Sequence, residues 1–262
     1  MPAITIRFYQ ELNDFLPPER RQVSFRVEVP AHSTVKAAIE DLGVPHTEVD
    51  LVLADGQSVG FDHLLREGEA VSVYPVFESW DIARVSRVRP EPLRVVRFVV
   101  DVHLGTLAGY LRMLGFDTVI CGARGDEEIA RLSRLEGRIL LTRDRGLLKR
   151  RIVTHGLLVR PLEPRAQLSQ VVARFDLAGL VRRAAGGSTG LFSRCMSCNS
   201  ALAGVAREDV LAELPPGVAE SCREFSRCTG CGKLFWRGTH WEGLTKLAAE
   251  ALGSQPRGQG QA

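Results

Sequence analysis

The sequence predicts an α/β chain with a mostly parallel sheet and flanking helices, preceded by a small strand-rich module and followed by a cysteine-bearing one. Three observations carry this. Apolar strand-like runs alternate with helix-period segments from Arg94 onward, the preceding stretch alternates apolar and polar residues around a single helix, and two C-x₂-C pairs lie near the end. A length of 262 residues suits two or three domains and leaves ample chain for a buried core.

The net charge of +3 is the difference between unlike parts. Residues 1–80 hold 6 Lys and Arg against 13 Asp and Glu, a net of −7, so the remainder carries +10. A basic second part beside an acidic first one points to a polyanion partner for the second part. The N-terminus MPAITIRFYQELNDF has acids and no apolar h-region, and no long apolar run occurs, so neither a signal peptide nor a membrane span is expected and a cytoplasmic protein is the default.

In the first module Ile4, Ile6 and Phe8 share one side of a strand, and Val23, Phe25, Val27 and Val29 one side of the next. A helix follows, with Ser33 or Thr34 as N-cap, Val35, Ala38, Ile39 and Leu42 on its apolar face, and Gly43 and Pro45 as stops. Val49–Leu53, an Asp55-Gly56 turn and the strand AVSVYPV complete it. This ββα succession ending in GEAVSVYPVF resembles the ubiquitin-like β-grasp domain of sulfur carriers of the ThiS and MoaD type. Such carriers need a free Gly-Gly end, whereas here the strand runs into FESWDIARV. The resemblance therefore implies a binding or regulatory module over residues 1–80, without carrier chemistry.

Residues 81–93, with Pro90 and Pro92, read as a linker. Beyond it RVVRFVVD is a continuous apolar strand, and HLGTLAGYLRMLG places Leu104, Leu107, Ala108, Leu111 and Leu114 on one helical face. Then come the strand DTVIC, a helix over Asp126–Leu135, the strand RILLT, a helix near Leu147, the strand LLVRP, and a helix carrying Leu168, Val171, Val172 and Phe175. The Gly- and Ser-rich RRAAGGSTG is a joint, residues 191–243 form the cysteine module, and 244–262 a short helix with a flexible tail.

In open α/β sheets the working site lies outside the carboxyl ends of the strands. Two strands run into acids there, Asp101 and Asp144, and Asp126 opens a helix that can face the same edge; Glu127 and Glu128 are alternates. Taken singly, Asp126 reads as an N-cap and Asp144 as a turn residue paired with Arg143 or Arg145. Asp101 follows two valines of a buried strand and needs a partner. Three hard oxygen donors brought together would repel without a cation, and they select Mg²⁺ or Mn²⁺. Arg143, Arg145, Lys149 and Arg150 around Asp144 would then lower the barrier to an anionic substrate. His103 reads as an ordinary turn residue, and Asp117 starts its strand at the opposite edge.

The blocks DVHLGTLAGYLRMLGFD, GDEEIARLSRLEGRILLTRD, SRCMSCN and CTGCGKLFWRGTHW resemble, in order, the Mut-seven C-terminal RNase family, a PIN-like nuclease domain with a zinc ribbon. The resemblance implies a PIN-like domain over residues 94–190 and a metal-dependent ribonuclease whose acids fall on Asp101, Asp126 and Asp144. It also implies phosphodiester hydrolysis with the water activated by a divalent cation. Gly109 and Tyr110 stand where that family usually has a basic residue and Trp, a departure that leaves the acids untouched but weakens the case for an RNA contact from that helix face.

Cys195/Cys198 and Cys228/Cys231 sit on turns of small polar residues with 29 residues between the pairs, the spacing of a four-cysteine zinc ribbon. A zinc with four protein ligands has no open position and is structural. Arg194, Arg223, Arg227, Lys233 and Arg237 surround the ribbon, with Phe235, Trp236 and Trp241 either stacking on bases or forming its small core. Cys222 is a spare that could replace a ligand, and Cys121 reads as a core thiol.

These features favour a divalent-metal-dependent ribonuclease acting on RNA. A rival reading is a non-catalytic RNA-binding adaptor working through the ribbon and the basic face. The charge split further suggests that residues 1–80 dock on the nuclease domain as a brake. Oligomeric state is open.

Overall fold

In the computed structural model, residues 1–75, 86–88, 95–121, 125–183, 190–215 and 217–253 are described. Alternating burial makes Ala3–Phe8 strand β1, with Ile4, Ile6 and Phe8 at most 1% exposed. Strand β2, Phe25–Glu28, has Val23 beyond its start and 46% exposed, so the expected four-residue apolar face is shorter by one. Helix α1, Val35–Asp41, is capped by Thr34, whose Oγ1 accepts the Ala37 amide at 3.2 Å. Strands β3 (Val49–Ala54) and β4 (Gln57–Ser58) are joined by Asp55 and Gly56, both at positive φ (46° and 80°), the left-handed pair a tight hairpin needs. Strand β5 is Ala70–Pro75.

Next come β6 (Phe98–Asp101), α2 (Gly105–Met113), β7 (Thr118–Cys121), α3 (Asp126–Glu136), β8 (Ile139–Thr142), the single turn α4 (Arg145–Leu148) and β9 (Gly156–Leu158). Every residue of β6, β8 and β9 is buried, as parallel strands covered on both faces require. Helices α5 (Pro164–Arg174) and α6 (Leu177–Arg183) follow. The expected joint thus opens inside a helix, since Arg182 and Arg183 belong to α6; residues 184–189 lie outside the described residues, and Gly190 follows as exposed irregular backbone. The last elements are β10 (Leu202–Val205), the one-turn α7 (Val218–Ser221), β11 (Phe225–Cys228), β12 (Leu234–Trp236) and α8 (Thr239–Gly253). Helix α8 begins five residues before the expected Leu244, and the tail from residue 254 is outside the described residues, as is the linker apart from residues 86–88.

The chain divides into two compact units. One comprises residues 1–95 and 124–158. Its five-stranded sheet has the order β2-β1-β5-β3-β4, with β1 antiparallel to β2 and parallel to β5, and α1 crossing between β2 and β3. This is a β-grasp arrangement. The same unit contains α3, α4 and the parallel pair β8–β9, in register Leu140↔Gly156 to Thr142↔Leu158. Gly156 is needed there, because a Cβ would come within 2.5 Å of Leu148 and 3.1 Å of the Leu140 carbonyl.

The N-terminal module holds this segment at specific atoms. The buried Glu48 accepts the Leu158 amide on Oε1 at 2.6 Å, and His46 bridges Glu40 Oε1 (2.6 Å) and the Val153 carbonyl (2.7 Å).

The other unit comprises residues 96–123 and 159–262. Its parallel pair β6–β7 runs in register from Phe98↔Thr118 to Asp101↔Cys121. Leu104, Leu107, Ala108, Leu111 and Leu114 are all at most 1% exposed, and Leu168 and Val171 of α5 are fully buried. Burying each such side chain contributes roughly 1.5–3 kcal/mol before entropy is counted. The antiparallel sheet β10-β11-β12 carries the ribbon in this unit.

Candidate metal centre and strand-end acids

The cysteines give the best-defined site. Cys195 and Cys198 lie on the turn before β10, Cys228 ends β11, and Cys231 lies on the turn to β12. These four are the only set of three or more His, Cys, Asp or Glu, among the described residues, whose donor atoms lie within 4.8 Å of one another. The sulfurs of Cys195 and Cys231 are 3.8 Å apart and those of Cys198 and Cys228 3.2 Å. Tetrahedral zinc with Zn–S of about 2.3 Å would separate its sulfurs by about 3.8 Å.

The electrostatics fit a dication as well. Hydrogen bonds from the Ser200 amide and hydroxyl hold the Cys198 thiol down to about 6. Cys231 is lowered by the Lys233 amide, yet hydrogen bonds with Cys228 and Cys198 push it up to about 11. Crowded thiols resist ionising together, and a bound cation removes that conflict. The cluster can hold zinc.

The ribbon is anchored by a residue that the sequence did not single out. Arg112 of α2 is 4% exposed, donating through Nε to the Thr118 carbonyl and through one guanidinium nitrogen to the Met196 and Ser197 carbonyls, each at 2.9 Å. Asn199, at φ +75°, accepts the Thr118 amide at 3.0 Å and donates to Asp117 at 2.7 Å. The signal for Arg112 was present as a cation inside the apolar run GYLRMLG. Gly109 is buried and a Cβ there would meet Met196 at 3.8 Å, so this part of α2 faces the ribbon rather than solvent. Cys222 is buried in the ribbon core with Val210 and Phe225, its thiol donating to the Arg237 carbonyl at 3.3 Å, and so lies apart from the four ligands. Cys121 is 2% exposed.

The three acids occupy different local settings. In the second unit Asp101 ends β6, is 9% exposed, and accepts the His103 amide on Oδ1 at 2.9 Å. In the first unit Asp144 lies two residues beyond β8 and accepts the Gly146 amide on Oδ1 at 2.7 Å. The two strand-end acids therefore use the same device, one oxygen tied to the amide two residues on. Asp126 is exposed at the first position of α3, with Glu127 and Glu128 also exposed in that turn.

The cations beside Asp144 have separate partners. Arg150 stands 3.7 Å from Asp126, and Arg145 lies over the Phe15 ring at 5.4 Å. Lys149 donates to the Glu40 carbonyl, Arg143 is exposed, and Arg138 pairs with Glu136 at 2.6 Å.

A β-grasp module, strand-end acids and a four-cysteine ribbon thus occur in one chain. The Mut7-C RNAse domain model matches residues 96–248, and the Mut7-C ubiquitin model matches residues 1–81. The chain belongs to the Mut7-C RNAse domain family. Two solved structures of small archaeal modifier protein 1 from Haloferax volcanii are similar to its N-terminal part. One is 18% identical and covers 29% of this chain and 100% of its own, with a TM-score of 0.25; the other is 15% identical and covers 30% and 99%, with a TM-score of 0.23. No curated protein matches. No helix among the described residues is long and apolar enough to cross a membrane.

Proposed function

We propose that the protein is a divalent-metal-dependent ribonuclease that hydrolyses RNA phosphodiester bonds, with Asp101, Asp126 and Asp144 supplying the oxygen ligands. The observation that carries this reading, beside family membership, is the shared device of Asp101 and Asp144. Asp101 ends and Asp144 closely follows a buried parallel strand, and each has one carboxylate oxygen oriented by the amide two residues on. That donor set is hard and anionic, which suits Mg²⁺ or Mn²⁺. When bound, such a cation supplies Lewis acidity and activates water.

The protein's own residues do the rest. The His103 and Gly146 amides fix Asp101 and Asp144, and the positive surroundings of Arg143 and Arg150 favour approach of the phosphate. A structural zinc on the four cysteines keeps the ribbon folded, in a cytoplasmic setting where thiols stay reduced. Cleavage of end-labelled RNA with Mg²⁺ or Mn²⁺ tests the reading; activity surviving both chelation and Asp144→Asn would sink it. Salt-sensitive RNA binding with no turnover under any metal would favour the adaptor instead.

We infer in addition that the N-terminal module restrains the enzyme by holding cations of the RNA-facing segment. Supporting this, Phe15 covers the Arg145 guanidinium and the Glu40 carbonyl engages Lys149. Both cations are thereby withdrawn from substrate while the module is seated.

A further inference from the structure

A cavity of about 470 Å³ lies between the ribbon and the first turns of α8, wholly within the second unit. Its wall includes Phe192, Trp236 and Trp241, with Arg237, His240 and Glu224 supplying polar groups. The volume suits a small ligand, and the three rings are each half-buried, Trp236 also packing against the ribbon core of Val210, Cys222 and Phe225.

Phe192 holds the left-handed conformation at φ +58°, which costs a bulky non-glycine residue about 1–3 kcal/mol. It is kept there by its amide donating to the Met113 carbonyl at 2.8 Å and by its ring lying 3.9 Å from that of Trp241, centroid to centroid. The Arg237 guanidinium sits over Trp241 at 5.3 Å and pairs with Glu224 at 2.8 Å. Both partners of that pair are more than half exposed, so the pair is solvent-screened and weak, and a phosphate can compete for the cation. The α8 amino terminus beside the cavity adds positive potential, because α8 runs 15 residues and its first turn supplies His240 and Trp241.

We propose that this cavity binds one unpaired nucleobase of a single-stranded RNA, stacked on the Trp236 and Trp241 rings, with the flanking phosphate on Arg237 and His240. This rests on the ribonuclease reading and names a part of the second unit that holds the substrate. A paired base would not fit, since its faces are covered by its neighbours in the helix. An apolar peptide side chain would fill the ring-lined space but offer no anion to compete with Glu224 for Arg237.

The test uses the full-length chain carrying Asp144→Asn, so that RNA stays intact, and a short single-stranded oligoribonucleotide beside its abasic counterpart. The base-containing strand is expected to quench tryptophan emission and the abasic strand to leave it unchanged. Trp241→Phe, a conservative change, should remove much of the quench, and Arg237→Ala should weaken binding roughly tenfold. Equal quenching by the abasic strand, or a quench untouched by both variants, overturns the proposal. So does quenching by an apolar peptide when RNA gives none. Cleavage of the same RNA by the unaltered chain separates the two ideas. Cutting without quench removes the cavity proposal alone, and quench without cutting under any dication removes the nuclease reading alone.

Discussion

Glu48 Oε1 accepts the backbone amide of Leu158 at 2.6 Å across 110 residues of sequence. The amide belongs to the last residue of β9, and Glu48 is 3% exposed, so the bond satisfies a strand-end donor that has no water to turn to. Glu48→Ala should destabilise the first unit by about 1–3 kcal/mol, the cost of a stranded buried amide, and hydrogen exchange at Leu158 should accelerate. Glu48→Gln keeps an acceptor of the same length and should lose less. Unchanged exchange in Glu48→Ala would show that the bond does not hold the two segments together.

Loosening the same contact tests the restraint on the cations. In Glu48→Ala, or in Phe15→Ala with the Arg145 guanidinium uncovered, RNA affinity or cleavage at low salt should rise, and the gain should shrink as salt screens the freed charge. No change in either variant would leave the N-terminal module a passive appendage.

Arg112 gives a prediction for the ribbon. Its guanidinium satisfies three carbonyls, those of Thr118, Met196 and Ser197. Burial lowers its pKa, opposed by the attraction of Cys195, Cys198 and Asp117. Arg112→Lys keeps the charge but cannot present the planar fork, so it should free the first cysteine turn from α2. Limited proteolysis should then cut faster within residues 190–253, and zinc should exchange more readily. Cys231→Ser should abolish stoichiometric zinc outright, measured by metal analysis, with the same gain in protease sensitivity.

What was legible in the sequence follows from which forces are periodic. The burial of Ile4, Ile6 and Phe8, the apolar face of α2 and the Thr34 cap were readable because pleat, helix and cap each repeat a local rule. The four cysteines were readable because a tetrahedral site fixes spacing along the chain. The N-terminus of α8 was not, because Trp241 joins that helix while stacking on Phe192, a contact set by tertiary packing. The role of Arg112 is not legible in the sequence, because its three acceptors are backbone carbonyls, which leave no mark in composition. The charge split suggested docking through opposite charges, yet Lys149 engages a carbonyl and Arg145 an aromatic face.

The strand-end acids allow chemistry to be separated from folding. Asp144 caps α4 by accepting the Gly146 amide, a role that an asparagine side chain can also fill, because its carbonyl oxygen accepts the same bond. Asp144→Asn should therefore melt within a fraction of a degree to a few degrees of the unaltered chain. It lacks the negative charge that holds a hard dication, so cleavage should fall by at least about 100-fold, beyond what loss of an outer-shell partner typically costs. Asp144→Ala should lose activity to the same extent and in addition about 1 kcal/mol of stability with the cap. Equal activity in Asp144→Asn and the unaltered chain, at saturating Mn²⁺, would assign Asp144 to capping alone and move the metal ligands elsewhere.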